Sequence, residues 1–145
     1  MSHKRLKIIG IHEFVDLPKA QLEGLESKID SGAYNSAIDC SFVQEIKDEN
    51  NQPILRYTLL HPSHPMYTGK VYRTRKFKRK EVRSSNGTVS YRYQIKLRIS
   101  VLGESYKTTF NLSNRTEMRY PVLLGRKFLS KRFLIDVAVN RKLSK

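Results

Sequence analysis

Ile29-Asp30-Ser31-Gly32-Ala33 is the stretch that decides how this chain is interpreted. It follows a strand-like segment and places a carboxylate on a turn whose glycine permits close backbone approach. Far downstream lies Val122-Leu123-Leu124-Gly125-Arg126, an apolar run that also ends in glycine. A turn that carries an acid, combined with a later apolar segment that leads into glycine, is typical of one half of a catalytic site that uses two carboxylates. The chain has one such acid turn, so the second carboxylate is expected to come from a second copy of the chain.

The residue types of the turn suit this chemistry. Two close carboxylates cannot both ionise, so they share a proton and act together as base and acid. Asp30 supplies the carboxylate. The hydroxyl of Ser31 can hold this turn against the same turn of the second copy, and Ala33 is small enough to lie beneath the two carboxylates. Asp-Ser-Gly is also a common turn tripeptide, and a plain Asx turn is the alternative interpretation.

Composition sets outer limits on the chain. Its 145 residues predict a single domain, residues 1–145, with a core from about 7 to 139. No apolar run approaches the roughly 20 residues that span a membrane, and the apolar stretch after the basic N-terminus is too short for a signal peptide. Cys40 is the only cysteine, so no intrachain disulfide can form. These features favour a cytoplasmic protein that does not bind membranes.

Alternation and turn signals predict an all-β chain. Short strands are expected at Lys7–Ile11, Ser27–Ile29, Ile54–Leu60, Thr88–Leu102, Tyr106–Leu112, Pro121–Gly125 and Phe133–Val139. Glu13 to Leu25, which contains Leu17-Pro18, favours a loop or edge segment, and Glu45 to Gln52 a polar turn. A short helix is expected at Arg126–Lys131. The Asn86-Gly87 pair predicts a hairpin with a type I′ turn. The fold class is therefore a small closed antiparallel barrel with one short C-terminal helix.

Charge is the second informative feature. Lys and Arg number 28 against 13 Asp and Glu, a net charge of +15. Such a balance attracts an anionic partner, although it also serves solubility alone. The cations crowd the segment from Lys70 to Arg83, which is expected to form one arm leading to the Asn86-Gly87 turn.

Several motifs together resemble the retropepsin-like aspartic peptidases of bacteria, which are often labelled ATP-dependent zinc proteases. The resemblance covers about residues 8 to 138. The motifs that carry it are Lys28-Ile29-Asp30-Ser31-Gly32-Ala33, Ser36-Ala37, Arg83-Ser84-Ser85-Asn86-Gly87, Asn114-Arg115 with Met118 and Pro121, and Leu123-Leu124-Gly125-Arg126. The chain departs from the family pattern at Ser31, where threonine is usual, and at Tyr34-Asn35, where a small or basic pair is usual.

The resemblance implies a homodimeric endopeptidase of retropepsin fold with one catalytic Asp30 per chain. Site-supporting roles fall on Ser31, Gly32, Ala33, Leu124, Gly125 and Arg126. Arg126 is expected to pair with an acid at the dimer interface or near Asp30; Asp136 is a candidate mate, or else a capping residue. The hairpin is expected to act as a flap that binds substrate through Arg83, Ser84, Ser85, Asn86, Gly87, Arg73 and Arg75. Family members are often encoded beside glutamate ligases, so an acidic or glutamyl peptide is the expected substrate.

Other uses of these residues stay open. The basic segment with Tyr72, Phe77, Tyr91 and Tyr93 could stack nucleic acid bases, or it could be a solvated edge that blocks aggregation. The same fold could also be a module that binds peptide or nucleic acid without cleaving it. His61 and His64 have no further partners to complete a metal site, and no phosphate-binding loop is present, so neither metal nor other cofactor is expected.

Overall fold

The computed structural model describes residues 5–141. Within them, the chain forms eleven strands, one short α-helix and one turn of 3₁₀ helix. The strands are β1 (Lys7–Ile9), β2 (His12–Leu17), β3 (Leu22–Ile29), β4 (Ser36–Lys47), β5 (Pro53–Leu59), β6 (Tyr72–Thr74), β7 (Lys78–Arg83), β8 (Val89–Val101), β9 (Glu104–Ser113), β10 (Val122–Leu124) and β11 (Phe133–Ile135). The helix α1 (Arg126–Leu129) follows β10, and the 3₁₀ turn (Pro18–Ala20) joins β2 to β3.

Six of these strands close into a barrel. Their order is β10-β3-β2-β8-β9-β4, and the ring closes because β10 is parallel to β3 on one side and antiparallel to β4 on the other. The predicted small closed barrel with one short helix is thus confirmed. The expectation that it is antiparallel throughout is wrong, because β10 runs parallel to β3 and β4 runs parallel to β9. The short β10 is the strand that completes the ring, so the acid turn after β3 and the glycine after β10 lie next to each other.

The barrel interior is filled by the alternating apolar residues of its strands. On β8, Ile95, Ile99 and Val101 are buried, as the period-two pattern predicts. Phe110 from β9 and Phe128 from α1 are among the largest fully buried side chains. Burying one such side chain stabilises the fold by roughly 1.5–3 kcal/mol. The helix therefore packs onto the barrel through Phe128 and holds the segment that follows β10.

Two sequence predictions are wrong, one for the segment that contains β2 and one for the end of β4. Glu13 to Leu25 was expected to be a loop or edge, but it contains most of the β2–β3 hairpin. Pro18 lies outside both strands in the 3₁₀ turn, where its missing N–H costs nothing. Glu45 to Gln52 was expected to be a turn throughout, whereas β4 continues to Lys47. The turn begins at Asp48, whose Oδ1 accepts hydrogen bonds from the amides of Asn50 (2.8 Å) and Gln52 (2.9 Å).

The β7–β8 hairpin extends beyond the barrel. Residues 78–83 pair only with the first part of β8, and the rest of β8 pairs with β9. Every residue from 83 to 92 is exposed, so this ribbon projects into solvent. The hairpin was predicted correctly, but its type I′ turn was not. Gly87 has a φ of 85°, whereas Asn86 is not among the residues with positive φ. The Ser84 amide donates to the carbonyl oxygen of Thr88 over 2.9 Å, which makes a three-residue loop with glycine in the left-handed position.

The prediction that Lys70 to Arg83 forms one basic arm of the hairpin is wrong for the first half of this segment. Arg73 lies in β6 and is paired with Arg56 of β5, so it is not part of the β7–β8 ladder. Arg75 follows β6, and its guanidinium bonds to the Asp48 carboxylate. The chain therefore leaves β6 and starts a new strand at Lys78, because β6 pairs with β5 while β7 pairs with β8.

A separate two-stranded sheet joins the two ends of the described chain. β1 runs parallel to β11, with Ile8 opposite Leu134, and both of these side chains are about half exposed. The predicted final strand Phe133–Val139 is shorter than expected. It ends at Ile135 because Asp136 starts a turn in which its carbonyl oxygen accepts the Val139 amide over 3.0 Å. Across residues 5–141, no helix is long and apolar enough to cross a membrane.

Candidate active site

Asp30 is held by backbone contacts that tie it to β10. It directly follows β3, and its amide donates to the carbonyl oxygen of Leu124 over 2.9 Å. Its Oδ1 accepts the amide of Gly32 over 2.9 Å, so the Asx geometry of the alternative interpretation is also present. The residue is half-buried. The carboxylate is thereby oriented by its own turn while one side stays accessible.

Gly125 interlocks the end of β10 with the acid turn. A Cβ at this position would lie 2.6 Å from the carbonyl oxygen of Asn35 and 2.8 Å from that of Ala33. The amide of Gly125 donates to the hydroxyl of buried Ser36 over 3.1 Å. Only glycine allows these backbones to approach so closely. The Ser36-Ala37 and Leu-Leu-Gly motifs are therefore parts of one packed unit.

Arg126 clamps the acid turn from the first position of α1. Its amide donates to the carbonyl oxygen of Ala33 (2.7 Å), and its guanidinium donates to that of Ser31 (3.1 Å). The guanidinium also lies 5.7 Å from the centre of the Tyr34 ring, in cation–π range. Asp136 does not serve as its acidic mate within the chain. The Asp136 carboxylate instead accepts the amide of Ala138 over 2.9 Å, within a turn that no helix follows in the described residues.

A cavity of about 570 Å³ opens beside the acid turn. Ser31 and the exposed Tyr34 form one wall, and the α1–β11 segment forms the other. Its further lining residues include Arg126, Leu129, Phe133 and Ile135. Ser31 of the acid turn thus lines a partly apolar recess that is open to solvent.

A buried carboxylate that sequence analysis missed lies at the other end of β10. Asp39 is almost fully buried, accepting the amide of Arg115 at Oδ1 (2.7 Å) and bonding the Nδ1 of His61 at Oδ2 (2.8 Å). The Nε of Arg115 donates to the carbonyl oxygen of Tyr120 over 3.1 Å. Burial lowers the pKa of Arg115, and the Asp39 and Asp30 carboxylates oppose that shift. The signal was an acid inside the apolar strand segment Ala37–Cys40.

The side chains of Cys40 and His64 form hydrogen bonds within the fold. The Cys40 thiol donates to the carbonyl oxygen of Phe42, and burial raises its pKa to about 11. The Nδ1 of His64 accepts the amide of Met66 over 3.0 Å. Within the described part of the chain, no three His, Cys, Asp or Glu side chains converge to form a metal site.

The structure brings together only some of the residues predicted from sequence. One cluster, defined here as the acid-turn cluster, contains Asp30, Ser31, Gly32, Ala33, Leu124, Gly125 and Arg126. Arg83, Ser84, Ser85, Asn86 and Gly87 lie at the tip of the projecting hairpin. Arg73 and Arg75 belong to neither group.

Comparison with known proteins assigns the family. Residues 8–144 match the model of the RimB-like family, described as retropepsin-like aspartic endopeptidase RimB. The chain belongs to this family. The resemblance inferred from the motifs is therefore confirmed at the level of the family.

Relatives are found among longer proteins. A probable α-L-glutamate ligase of Shewanella halifaxensis is 29% identical over 133 residues, which is 89% of this chain and 28% of the ligase. A protein of the same name from Desulfotalea psychrophila is 24% identical over 143 residues, 92% of this chain and 29% of the ligase. The chain thus spans less than a third of the length of these relatives. A Legionella pneumophila crystal structure of unknown function shares the fold, with a TM-score of 0.67, 24% identity, and coverage of 92% of this chain and 95% of that one.

Proposed function

We propose that this chain is an aspartic endopeptidase that is active as a homodimer, with one Asp30 from each copy. The observation that carries the proposal is the acid-turn cluster, in which the Asp30 amide is bonded to Leu124 and the carboxylate to the Gly32 amide. This arrangement fixes a half-buried carboxylate at the junction of two strand ends. Membership of the RimB-like family supports the same chemistry.

The surface beside the acid turn supports a second copy as the partner. Ile8 and Leu134 are 51% and 54% exposed and lie opposite each other in the β1–β11 sheet. Val137 and Tyr34 are exposed as well. A two-stranded sheet is marginal in water by itself, and an apolar face of this kind is suited to an interface. Two-fold contact at this face would bring the two Ser31 turns toward each other.

The mechanism follows from a carboxylate pair. One Asp30 is ionised and takes a proton from a bound water, whose oxygen attacks the scissile carbonyl carbon. The protonated Asp30 of the other copy gives its proton to the carbonyl oxygen. In the collapse of the tetrahedral diol the C–N bond breaks, the pair gives its proton to the leaving nitrogen, and one hydroxyl of the diol returns its proton to the pair as the carboxyl product forms. The pair then again holds one proton.

The projecting hairpin serves as the flap in this proposal. Its residues 83 to 92 are all exposed, so the tip can move over a bound peptide without unpacking the core. Closure of such a segment excludes water and aligns the reacting bond. Arg83 at the tip places a forked cation where it can bind a substrate carboxylate.

The proposed substrate is an acidic, glutamate-rich peptide. A net charge of +15 attracts polyanions, and the relatives that contain a matching region are named as glutamate ligases. A nucleic acid partner is less well supported, because Tyr72, Phe77 and Tyr93 are half-buried and only Tyr91 of the four aromatic residues is well exposed.

Hydrolysis of glutamyl peptides tests the proposal. The chain and its Asp30→Asn variant are incubated with an oligoglutamyl peptide, and new amino termini are measured. Glu49→Gln is the matched control, because Glu49 is exposed and also loses one negative charge. We expect loss of hydrolysis in Asp30→Asn alone. Unchanged hydrolysis in that variant would refute the proposal, and binding without hydrolysis by the unaltered chain would favour a non-catalytic peptide-binding module.

A further inference from the structure

The outer face of the β8–β9 ladder carries like charges in direct opposition. The register places Arg98 opposite Lys107, and Lys96 lies two residues along β8 on the same face. Like charges that face each other across an antiparallel pair are destabilising. Within residues 5–141, the hydrogen-bond partner of the Arg98 guanidinium is a neutral group, the Ser105 hydroxyl, over 3.2 Å. The fold tolerates this repulsion at a place where opposite charges would have stabilised it.

Two adjoining cavities extend from this face and share three lysines. One of about 560 Å³ reaches α1, and the other, of about 400 Å³, reaches the 3₁₀ turn. We name them together the basic groove. Its cations are Lys19, Arg73, Lys76, Lys78, Lys96, Arg98, Lys107, Lys127 and Arg132.

The basic groove is not neutralised within the described part of the chain. Neither cavity has an acidic residue in its lining. The ion pairs formed between residues 5 and 141 involve other cations, such as Arg75, Arg79 and Arg141. An uncompensated cluster of this size focuses a positive potential and concentrates anions.

The lining selects among anions. Of the aromatic residues in its lining, Tyr57 is buried, and Phe77 is half-buried and packs on Tyr93. Among the described residues that line it, the groove therefore offers nine cations but only one partly accessible aromatic ring on which a base could stack. Lys96 and Arg98 are separated by two residues, about 6.7 Å along the strand. Alternate side chains of an extended peptide have the same spacing, so its carboxylates match these cations.

The basic groove lies outside the acid-turn cluster but borders the recess beside it. Lys127 lines both the groove and the cavity that contains Ser31. We infer that the basic groove is an exosite that binds a run of glutamate or aspartate side chains in an extended acidic polypeptide. Its use in cleavage rests on the proposed peptidase function, in which the groove holds the acidic tract while another part of the substrate reaches the Asp30 pair.

Binding and cleavage are measured separately to test this inference. Binding of a twelve-residue oligoglutamate is measured by fluorescence anisotropy on the full chain carrying Asp30→Asn, so that hydrolysis cannot interfere. Lys96→Gln with Lys107→Gln is compared with Lys47→Gln and Lys70→Gln, a control of equal charge change at exposed positions outside the groove. We expect the groove variant to bind about 5- to 30-fold more weakly and the control to change less than about 2-fold.

Further readouts separate the possible outcomes. Without Asp30→Asn, the groove variant should raise KM for long acidic substrates and leave kcat/KM for a short neutral peptide unchanged. Its Tm should not fall, because the repulsion between Arg98 and Lys107 is relieved. Equal weakening in the control, or tighter binding of a twelve-nucleotide RNA than of oligoglutamate, would overturn the inference. Groove-dependent binding by an unaltered chain that hydrolyses nothing would leave the exosite standing and reject the peptidase.

Discussion

The amide of Asp30 donates a hydrogen bond to the carbonyl oxygen of Leu124 over 2.9 Å, and this bond joins the two motifs that are far apart in sequence. It continues the parallel pairing of β3 with β10, in which Leu124 lies opposite Ile29. The same β10 closes the barrel against β4. The acid turn is thus positioned by the strand that completes the fold, and changes to β10 should affect stability and activity together.

Gly125→Ala should destabilise the fold strongly. The added methyl would lie within 2.8 Å of the carbonyl oxygens of Asn35 and Ala33, which are backbone atoms that cannot easily move. We expect a loss of about 2–3 kcal/mol in the free energy of unfolding, measured in urea. Gly103→Ala is the control: its φ of 81° disfavours alanine, but no atom lies within 4 Å of the added methyl. That variant should lose only about 1–2 kcal/mol, and an equal loss in both variants would exclude steric overlap as the cause.

Arg126→Lys should lower kcat with little effect on folding. Lysine keeps the charge but loses the forked guanidinium that donates to the Ser31 carbonyl and lies over the Tyr34 ring. We expect kcat for a glutamyl peptide to fall about 10-fold, which corresponds to about 1.4 kcal/mol. Because Arg126 is exposed, Tm should change by no more than a few degrees. Full activity in Arg126→Lys would show that the clamp does not position the acid turn.

Arg83→Gln separates the hairpin tip from the rest of the basic surface. Arg83 is exposed, and its ion pair with Glu81 is long, at 3.9 Å. If it binds a substrate carboxylate, kcat/KM for an acidic peptide should fall about 3- to 10-fold, whereas a neutral peptide should be unaffected. Arg75→Gln is the control because Arg75 bonds to Asp48 away from the hairpin. Equal effects of both variants would mean that overall charge, and not the flap, governs the rate.

Protonation of His64 should lower the free energy of unfolding under mildly acidic conditions. Burial lowers its pKa in the folded state, so between that lowered value and the unfolded value of about 6.5 the unfolded chain binds more protons. Stability is therefore lost as pH falls through this window. Protonation at Nδ1 would also break its bond to the Met66 amide.

His64→Asn tests this sign, because the asparagine oxygen can still accept the Met66 amide but does not titrate. The free energy of unfolding is measured at pH 7.5 and pH 5. The unaltered chain should lose more stability between the two values than the variant. A larger loss in the variant would contradict the stated direction of the pKa shift.

The sequence predicted the elements whose signals are local. The apolar alternation of β8 and the Leu-Leu-Gly segment each mark a strand, and Asn86-Gly87 marks a hairpin. Its turn type was missed because a three-residue loop needs positive φ only at Gly87. Pro18 obscured the β2–β3 hairpin, since proline between two strands has the same local signature as proline within a loop.

Long-range contacts were beyond the reach of local patterns. Glu13 begins a segment that was expected to be a loop or edge, yet it is 1% exposed and bonds to the amide of Gly10 and the guanidinium of Arg141. Asp39 is buried and forms hydrogen bonds with His61 and Arg115, which lie in two different loops. The cations of the basic groove come from elements that are distant in sequence, including β6, β7, β8, β9 and α1, and they meet only in the folded chain. Such features depend on the order of the strands in the sheet, which local sequence patterns do not reveal.

The distance between the two Asp30 carboxylates in a crystal structure of the assembled protein tests the central claim most directly. A shared-proton pair requires oxygens of the two copies within about 3 Å of each other across a two-fold axis, with one water bound between them. We predict this arrangement, with the β1–β11 faces of both copies in the interface. Asp30 carboxylates that face solvent, far from any symmetry mate in the assembly that hydrolyses peptides, would contradict it.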